Sequence, residues 1–299
     1  MTEHRLTPTA VNRRLRWFIR DRFPQRPVRR HVQGVDMVLP WSHRLPDYAA
    51  ANPDYSQNLV GLARGLRPEG PLHVLDVGAN VGDSGLQILA ATDARLLCVE
   101  ADPAYLRFLH TNLGENPKAT IVEAYLSVDE DAHGQVPVRM GGTTRFVSGD
   151  GPASTPTITP GTLRSVAPDF DDLHLVKSDT DGYDTTLIPA IAAEWADSRP
   201  VLFFEYDPYL TRLAGVDPFA VWPQLTELGY SDVAVWDNGA VALGMTSTAD
   251  IVAPAKQLDA DAASCPPRAR TYWDVAVCHR DDAAGRAVLQ NLMGGATLR

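Results

Sequence analysis

An α/β fold on a doubly wound, mostly parallel sheet is predicted by three features of this 299-residue chain. The first is Leu72-His73-Val74-Leu75-Asp76-Val77-Gly78-Ala79-Asn80-Val81-Gly82-Asp83-Ser84-Gly85. An apolar run typical of a buried parallel strand stops at an acid and passes through three glycines. It then enters an apolar-periodic stretch with Leu86, Ile88, Leu89 and Ala90, so the order is strand, tight loop, helix. The second is Glu100, which ends the next apolar run, Arg95–Val99, 22 residues after Gly78. The third is that two later runs also end in acids, Leu173–Lys177 before Asp179 and Val201–Phe204 before Glu205. Ligands of such sheets bind outside the carboxyl ends of the strands, where these four acids converge.

Glycines at 78, 82 and 85 allow a sharp turn and close backbone approach to a ligand. Asn80 stands where the dinucleotide-binding G-x-G-x-x-G pattern needs its middle glycine. A carboxylate at Glu100 is placed to accept the ribose hydroxyls of an adenosine-containing cofactor.

Bulk properties narrow the class. The composition is that of a globular protein with a sizeable core. Cys98, Cys265 and Cys278 are far apart, which argues for a reduced compartment and against a disulfide framework. No apolar stretch reaches transmembrane length and no signal peptide is evident, so a cytoplasmic location is expected. The net charge is −10, yet residues 1–31 carry nine arginines against Glu3 and Asp21, a local +7 that leaves −17 for the remainder. An acidic body argues against a nucleic-acid substrate.

In chain order, residues 10–22 read as a basic amphipathic helix with Val11, Leu15, Phe18 and Ile19 on one face. Such a helix can touch an anionic membrane surface or pack on the acidic body. Val35, Met37 and Leu39 alternate as a strand, followed by a Pro-, His- and Tyr-containing segment over 39–48 suited to a pocket wall. In it His43 is a candidate general base and Tyr48 a substrate contact. Residues 1–55 are thus expected to form a basic helix and pocket cover, 56–281 the catalytic domain, and 282–299 a C-terminal helix and tail.

A helix over 56–68 leads into the first strand. Asp102-Pro103 caps a helix reaching about Leu113, and Ala119–Val122 is the third strand, with Ala124 beside an adenine site. A hairpin is expected within 128–150, presenting Arg145 to a substrate. Three carboxylates crowd Lys177-Ser178-Asp179-Thr180-Asp181-Gly182-Tyr183-Asp184; like charges raise one another's pKa, which marks a functional site. Asp179 and Asp181 are the candidate base or hydroxyl-orienting groups, with Glu205 and Tyr206 as substrate contacts. Asp179 and Glu205 together are a candidate Mg²⁺ pair, since that ion is content with one or two carboxylates plus water. A helix near 218–228, a hairpin turned by Asp237-Asn238-Gly239, a Pro- and Ala-rich loop over 248–269, a strand over 272–278 and a short helix complete the chain.

Asp76-Val77-Gly78-Ala79-Asn80-Val81-Gly82 resembles motif I of class I S-adenosylmethionine-dependent methyltransferases. Together with Gly161-Thr162-Leu163, the 175–184 stretch and Phe204-Glu205, it looks like the FkbM-type family of these enzymes over about 72–245. The resemblance implies a Rossmann-like, seven-stranded, mostly parallel sheet with one antiparallel strand. It also implies O-methylation of a hydroxyl on a sugar, glycolipid or polyketide-type molecule. S-adenosylmethionine would be met by Asp76, Gly78, Asn80 and Gly82 at its methionine part, Glu100 at the ribose, Ala124 near the adenine, and Ser178. The family usually reads Lys-Ile-Asp-Val-Glu-Gly where this chain has Ser178 and Asp181. The resemblance to catechol O-methyltransferase is what brings in Mg²⁺. Two other classes share the sheet: a NAD-dependent oxidoreductase, which needs the missing glycine, and a non-catalytic adenosyl-binding scaffold.

Overall fold

The computed structural model describes residues 22–129, 135–140, 143–148, 156–265 and 271–298, with backbone alone over 135–140 and 143–148. The basic helix expected at 10–22 lies outside the described residues except for Arg22.

The described chain opens with strands β1 (Pro27–Val32) and β2 (Val35–Pro40), an antiparallel hairpin. The alternation of Val35, Met37 and Leu39 places Met37 and Leu39 inward, where they meet Val81, Tyr105 and Phe108 in a small apolar cluster. Helices α1 (Leu45–Ala51) and α2 (Gln57–Gly65) lead to the sheet. There β3 (Leu72–Val77), α3 (Asp83–Ala91), β4 (Ala94–Glu100), α4 (Pro103–Leu113) and β5 (Ala119–Glu123) follow the predicted order. Asp102 caps α4 as its sequence predicts, its side chain accepting from the Ala104 amide, with Pro103 in the first turn.

A short strand, β6 (Tyr125–Leu126), precedes the expected hairpin of β7 (Gln135–Met140) and β8 (Thr143–Ser148). Arg145 stands opposite Val138 on that hairpin, and its side chain lies outside the described residues. After β9 (Thr157–Ile158) and α5 (Pro160–Val166) come β10 (Leu175–Ser178), α6 (Asp184–Glu194), β11 (Val201–Tyr206), α7 (Pro208–Leu213) and α8 (Val221–Glu227). The chain continues through β12 (Tyr230–Asp237), β13 (Ala242–Ser247), α9 (Val252–Ser264), β14 (Trp273–His279) and α10 (Ala283–Met293). Helix α9 corrects the loop expected over 248–269: alanines favour helix, and Pro254 falls in the first turn, where its missing N–H has no intrahelical partner to lose.

The main sheet runs β13-β12-β14-β11-β10-β3-β4-β5. Strands β3, β4, β5, β10 and β11 are parallel, and β14 is antiparallel to both β11 and β12. The sheet therefore has eight strands where seven were expected; the second arm of the 233–243 hairpin, β13, adds an edge.

Pleating sorts alternate residues to opposite faces. Leu75, Val77, Val176, Leu202, Phe204 and Val275 pack with α5, α6, α8 and α9. Val74, Leu96, Leu175, Phe203, Ala276 and Cys278 pack with α2, α3, α4 and α10. By the same alternation Asp76, Lys177, Glu205 and Asp274 fall on the α2 face, near the carboxyl ends of the parallel strands.

Candidate active site

The site has two halves, and the first is the loop Gly78–Gly82. Gly78, Asn80 and Gly82 all have positive φ (70°, 52° and 84°), so the chain turns back on itself between β3 and α3. A Cβ added at Gly78 would overlap the backbone carbonyl oxygen of Asp179, so glycine is needed both for the turn and for the close passage of the 179 segment. The amides of Gly78 and Ala79 donate to Val99 O at 3.0 and 3.1 Å, and the Asn80 amide donates to Glu100 Oε2 at 2.7 Å. Glu100 Oε1 accepts from the amides of Ala101 and Asp102 at 2.9 and 2.7 Å. Burial raises the pKa of Glu100, against the lowering effect of these three amides.

Beneath the loop, Asp76 and Lys177 are opposite each other on β3 and β10. Lys177 Nζ lies 3.0 Å from Asp76 Oδ1, donates to Gly78 O at 2.9 Å, and is 3.9 Å from Asp179 Oδ2. Burial alone would lower the Lys177 pKa; the Asp76 and Asp179 carboxylates reverse this and hold it up. Asp76 is wholly buried, which corrects its expected contact with a methionine moiety: it touches Lys177 and shapes the loop from below.

The second half is a cleft of about 50 Å³, lined by Tyr55, Asn58, Lys177, Asp179, Glu205, Tyr272 and Asp274 among others. Helix α2 and the chain before it supply Tyr55 and Asn58. Asn52 Nδ2 bonds to Gly239 O, which ties this cover to the β12–β13 turn, and Asn238 of that turn also lines the cleft. Glu205 and Asp274 are register partners on β11 and β14. Asp274 Oδ2 accepts from Asn58 Nδ2 at 2.7 Å; burial nevertheless pushes its pKa up to about 7, with Asp179 adding to the rise. Glu205 is held well above the carboxylate range by burial and by the charges of Asp179, Asp181, Asp184 and Asp274. The Tyr272 hydroxyl is raised by Glu205 and by burial.

Of the acids at the end of β10, Asp179 alone reaches the cleft. Asp184 is structural: it accepts from Ser178 Oγ at 2.6 Å and from the Thr180 and Gly182 amides at 3.0 and 3.3 Å, closing the turn. Ser178 Oγ is thereby committed to Asp184, a correction to its expected cofactor contact and the reason a polar residue is tolerated in that strand. Asp181, at φ 53°, lies outside the cleft lining. Tyr206 is a clear correction. It is the pleat neighbour of Glu205, points to the opposite face, stacks with Trp273 and donates its hydroxyl to Pro218 O, with no exposed surface.

His43 belongs to the loop half. Its Nδ1 accepts from the Leu45 amide at 3.3 Å, so in the neutral ring Nε2 carries the proton and faces Asn80 Oδ1 at 3.3 Å. That geometry ties the cover to the loop and does not present a free base lone pair. Tyr48 is largely exposed and rests on Tyr55, one residue removed from the cleft. Ala124 is buried, its amide donating to Glu100 O. Among the described residues no three His, Cys, Asp or Glu side chains are grouped as a metal-ligand set. Nor, among them, is any helix long and apolar enough to cross a membrane.

Asp274 and Tyr272 escaped the sequence reading. The available signal was a carboxylate interrupting the apolar run of Tyr272–Cys278. Because β14 runs antiparallel, its beginning lies where its parallel neighbours end.

Strand order, the antiparallel β14 and the site at the strand ends define a Rossmann-like, doubly wound α/β fold. No family model matches the chain, and no curated protein matches it. Solved structures that resemble it include a SAM-dependent methyltransferase from Geobacter sulfurreducens in complex with S-adenosyl-L-homocysteine, at 14% identity, covering 78% of this chain and 96% of that one, TM-score 0.41. A TehB-like SAM-dependent methyltransferase from Corynebacterium glutamicum is 13% identical, covering 79% and 95%, TM-score 0.41. Precorrin-6y C5,15-methyltransferase from Geobacter metallireducens is 16% identical, covering 74% and 87%, TM-score 0.38.

Proposed function

We propose that this chain is an S-adenosylmethionine-dependent methyltransferase acting on a hydroxyl of a small polar acceptor, as the resemblance to FkbM-type motifs implies. The observation that carries the reading is the adjacency of two unlike half-sites along one strand-end edge. A backbone mould at Gly78–Gly82 with Glu100 beside it meets an acid-lined cleft at Asp179, and Lys177 contacts both.

The loop half fits an adenosyl cofactor. Gly78, Asn80 and Gly82, all at positive φ, turn the backbone sharply at the strand end, and Glu100 keeps acceptor capacity: its two oxygens offer about four lone-pair sites, of which three amides take their share. When bound, S-adenosylmethionine would supply an electrophilic methyl carbon whose bond to sulfur breaks, the electron pair leaving with sulfur, as the acceptor oxygen bonds to carbon. The residues of the cleft have the remaining tasks. Asp179, whose side chain is about half exposed (53%), is available to accept the hydroxyl proton and pass it to solvent. Lys177 fixes Asp179 relative to the Gly78 carbonyl, which keeps acceptor and cofactor halves in register; such positioning is worth several kcal/mol of barrier. Asp179 and Glu205, the pair expected to hold Mg²⁺, both line the cleft, and among the described residues no third His, Cys, Asp or Glu groups with them as a metal-ligand set.

Calorimetric titration tests the class. S-adenosylhomocysteine should bind and NAD should not. Binding of NAD alone would promote the oxidoreductase; binding of S-adenosylhomocysteine with no methyl transfer to any hydroxylated acceptor would favour the scaffold.

A further inference from the structure

The charge of the cleft is unbalanced. Asp179, Glu205 and Asp274 line it, while Lys177, the one cation in that lining among the described residues, is already engaged with Asp76. Glu205 has no hydrogen-bond partner among the described residues, and neither do the hydroxyls of Tyr55 and Tyr272 beside it. Burial and repulsion among the acids hold Glu205 and Asp274 toward their protonated forms; a cationic ligand seated between them brings both a donor and the opposite charge that favours the ionised form, so the desolvation cost is recovered on binding. The rings of Tyr55, Tyr272 and Phe203 complete the wall, and aromatic faces attract cations. Asp179 follows β10, while Glu205 lies on β11 and Asp274 on β14; among the described residues they form no three-ligand metal set, and their spread around the cleft suits an organic cation with several donors. The cleft admits a group of a few heavy atoms, the size of an amine on its carbon and not of a nucleoside.

We infer that the acceptor carries a protonated amine, seated between Glu205 and Asp274 against Tyr55 and Tyr272, with the hydroxyl to be methylated turned toward Asp179. The acceptor class is therefore amino alcohols and amino sugars. The inference rests on the methyltransferase reading, since it names the acceptor of that same site. Charge complementarity selects it over neutral and acidic analogues: a carboxylate-bearing acceptor would meet three acids, and a neutral polyol would leave Glu205 without a charged donor.

The test uses the full chain saturated with S-adenosylhomocysteine and paired probes: glucosamine against glucose and glucuronate, and 2-aminoethanol against ethylene glycol. Each amine should bind about tenfold or more tightly than its neutral partner, the scale of one charge-assisted hydrogen bond. Glu205→Gln and Asp274→Asn should each erase that preference while leaving S-adenosylhomocysteine affinity unchanged; thermal melting verifies that both isosteric variants fold. Equal or better binding of the neutral or acidic probes overturns the inference, as does a preference that survives both substitutions. If S-adenosylhomocysteine itself fails to bind while the amine preference persists in its absence, the cofactor reading falls and the cation pocket stands.

Discussion

The two ends of the strand edge solve opposite problems. At β3 and β4 loop amides donate to Val99 O and Glu100, and the buried cation Lys177 lies 3.0 Å from Asp76 Oδ1, although burial still raises the Asp76 pKa. At β11 and β14, Glu205 and Asp274 face each other with one amide donor between them, from Asn58. The first end is a mould shaped by the chain's own backbone contacts and a buried ion pair. The second is charge-frustrated, which raises the pKa values of its acids and leaves the ligand to complete it.

Breaking the mould should have the largest effect. Lys177→Met leaves Asp76 buried without its cation and should cost about 3–5 kcal/mol of stability, the usual scale for breaking one side of a buried pair. A chemical-denaturation midpoint close to that of the native chain would show that Lys177 is not structural. Gly78→Ala puts a side chain at φ 70° and into the Asp179 carbonyl. A loss of about 2 kcal/mol or more is expected from strain alone, together with at least tenfold weaker S-adenosylhomocysteine binding; unchanged affinity would detach the loop from cofactor recognition. Asp184→Ala removes the acceptor of Ser178 and of two amides and should cost about 1–3 kcal/mol, with Asp184→Asn recovering part of it.

The smallest effect, Asp274→Asn, tests the frustrated end. Its carboxyl is raised to about 7, above its value in the unfolded chain, so the native state holds this proton more tightly. Stability from this group is therefore full at low pH, declines as pH rises from the ordinary carboxylate range through about 7, and levels off above that. The asparagine variant should melt above the native chain at pH 8, and that gap should shrink toward pH 5. A gap independent of pH would contradict the burial argument.

The mould was the more legible half. An apolar run ending in Asp76, glycines at fixed offsets and an acid ending the next run are local signals, and the strands and the α4 cap followed them. The frustrated half depends on topology. Glu205 could be placed because it ends a parallel strand, whereas Asp274 begins an antiparallel one and joins the site only through the β11–β14 register. Tyr206 neighbours Glu205 in sequence, but pleating sends adjacent strand residues to opposite faces, and Tyr206 is buried away from the cleft. The three acids after β10 also looked alike in the chain. Only the fold separates Asp179, which lines the cleft, from Asp184, which closes a turn.

The most direct measurement is a crystal structure of the full chain with S-adenosylhomocysteine. The account predicts the ribose at Glu100, the amino-acid part along Gly78–Gly82, and the sulfur directed to the cleft at Asp179. A nucleoside seated in the Glu205–Asp274 cleft, or one that leaves the Gly78–Gly82 loop untouched, would contradict it.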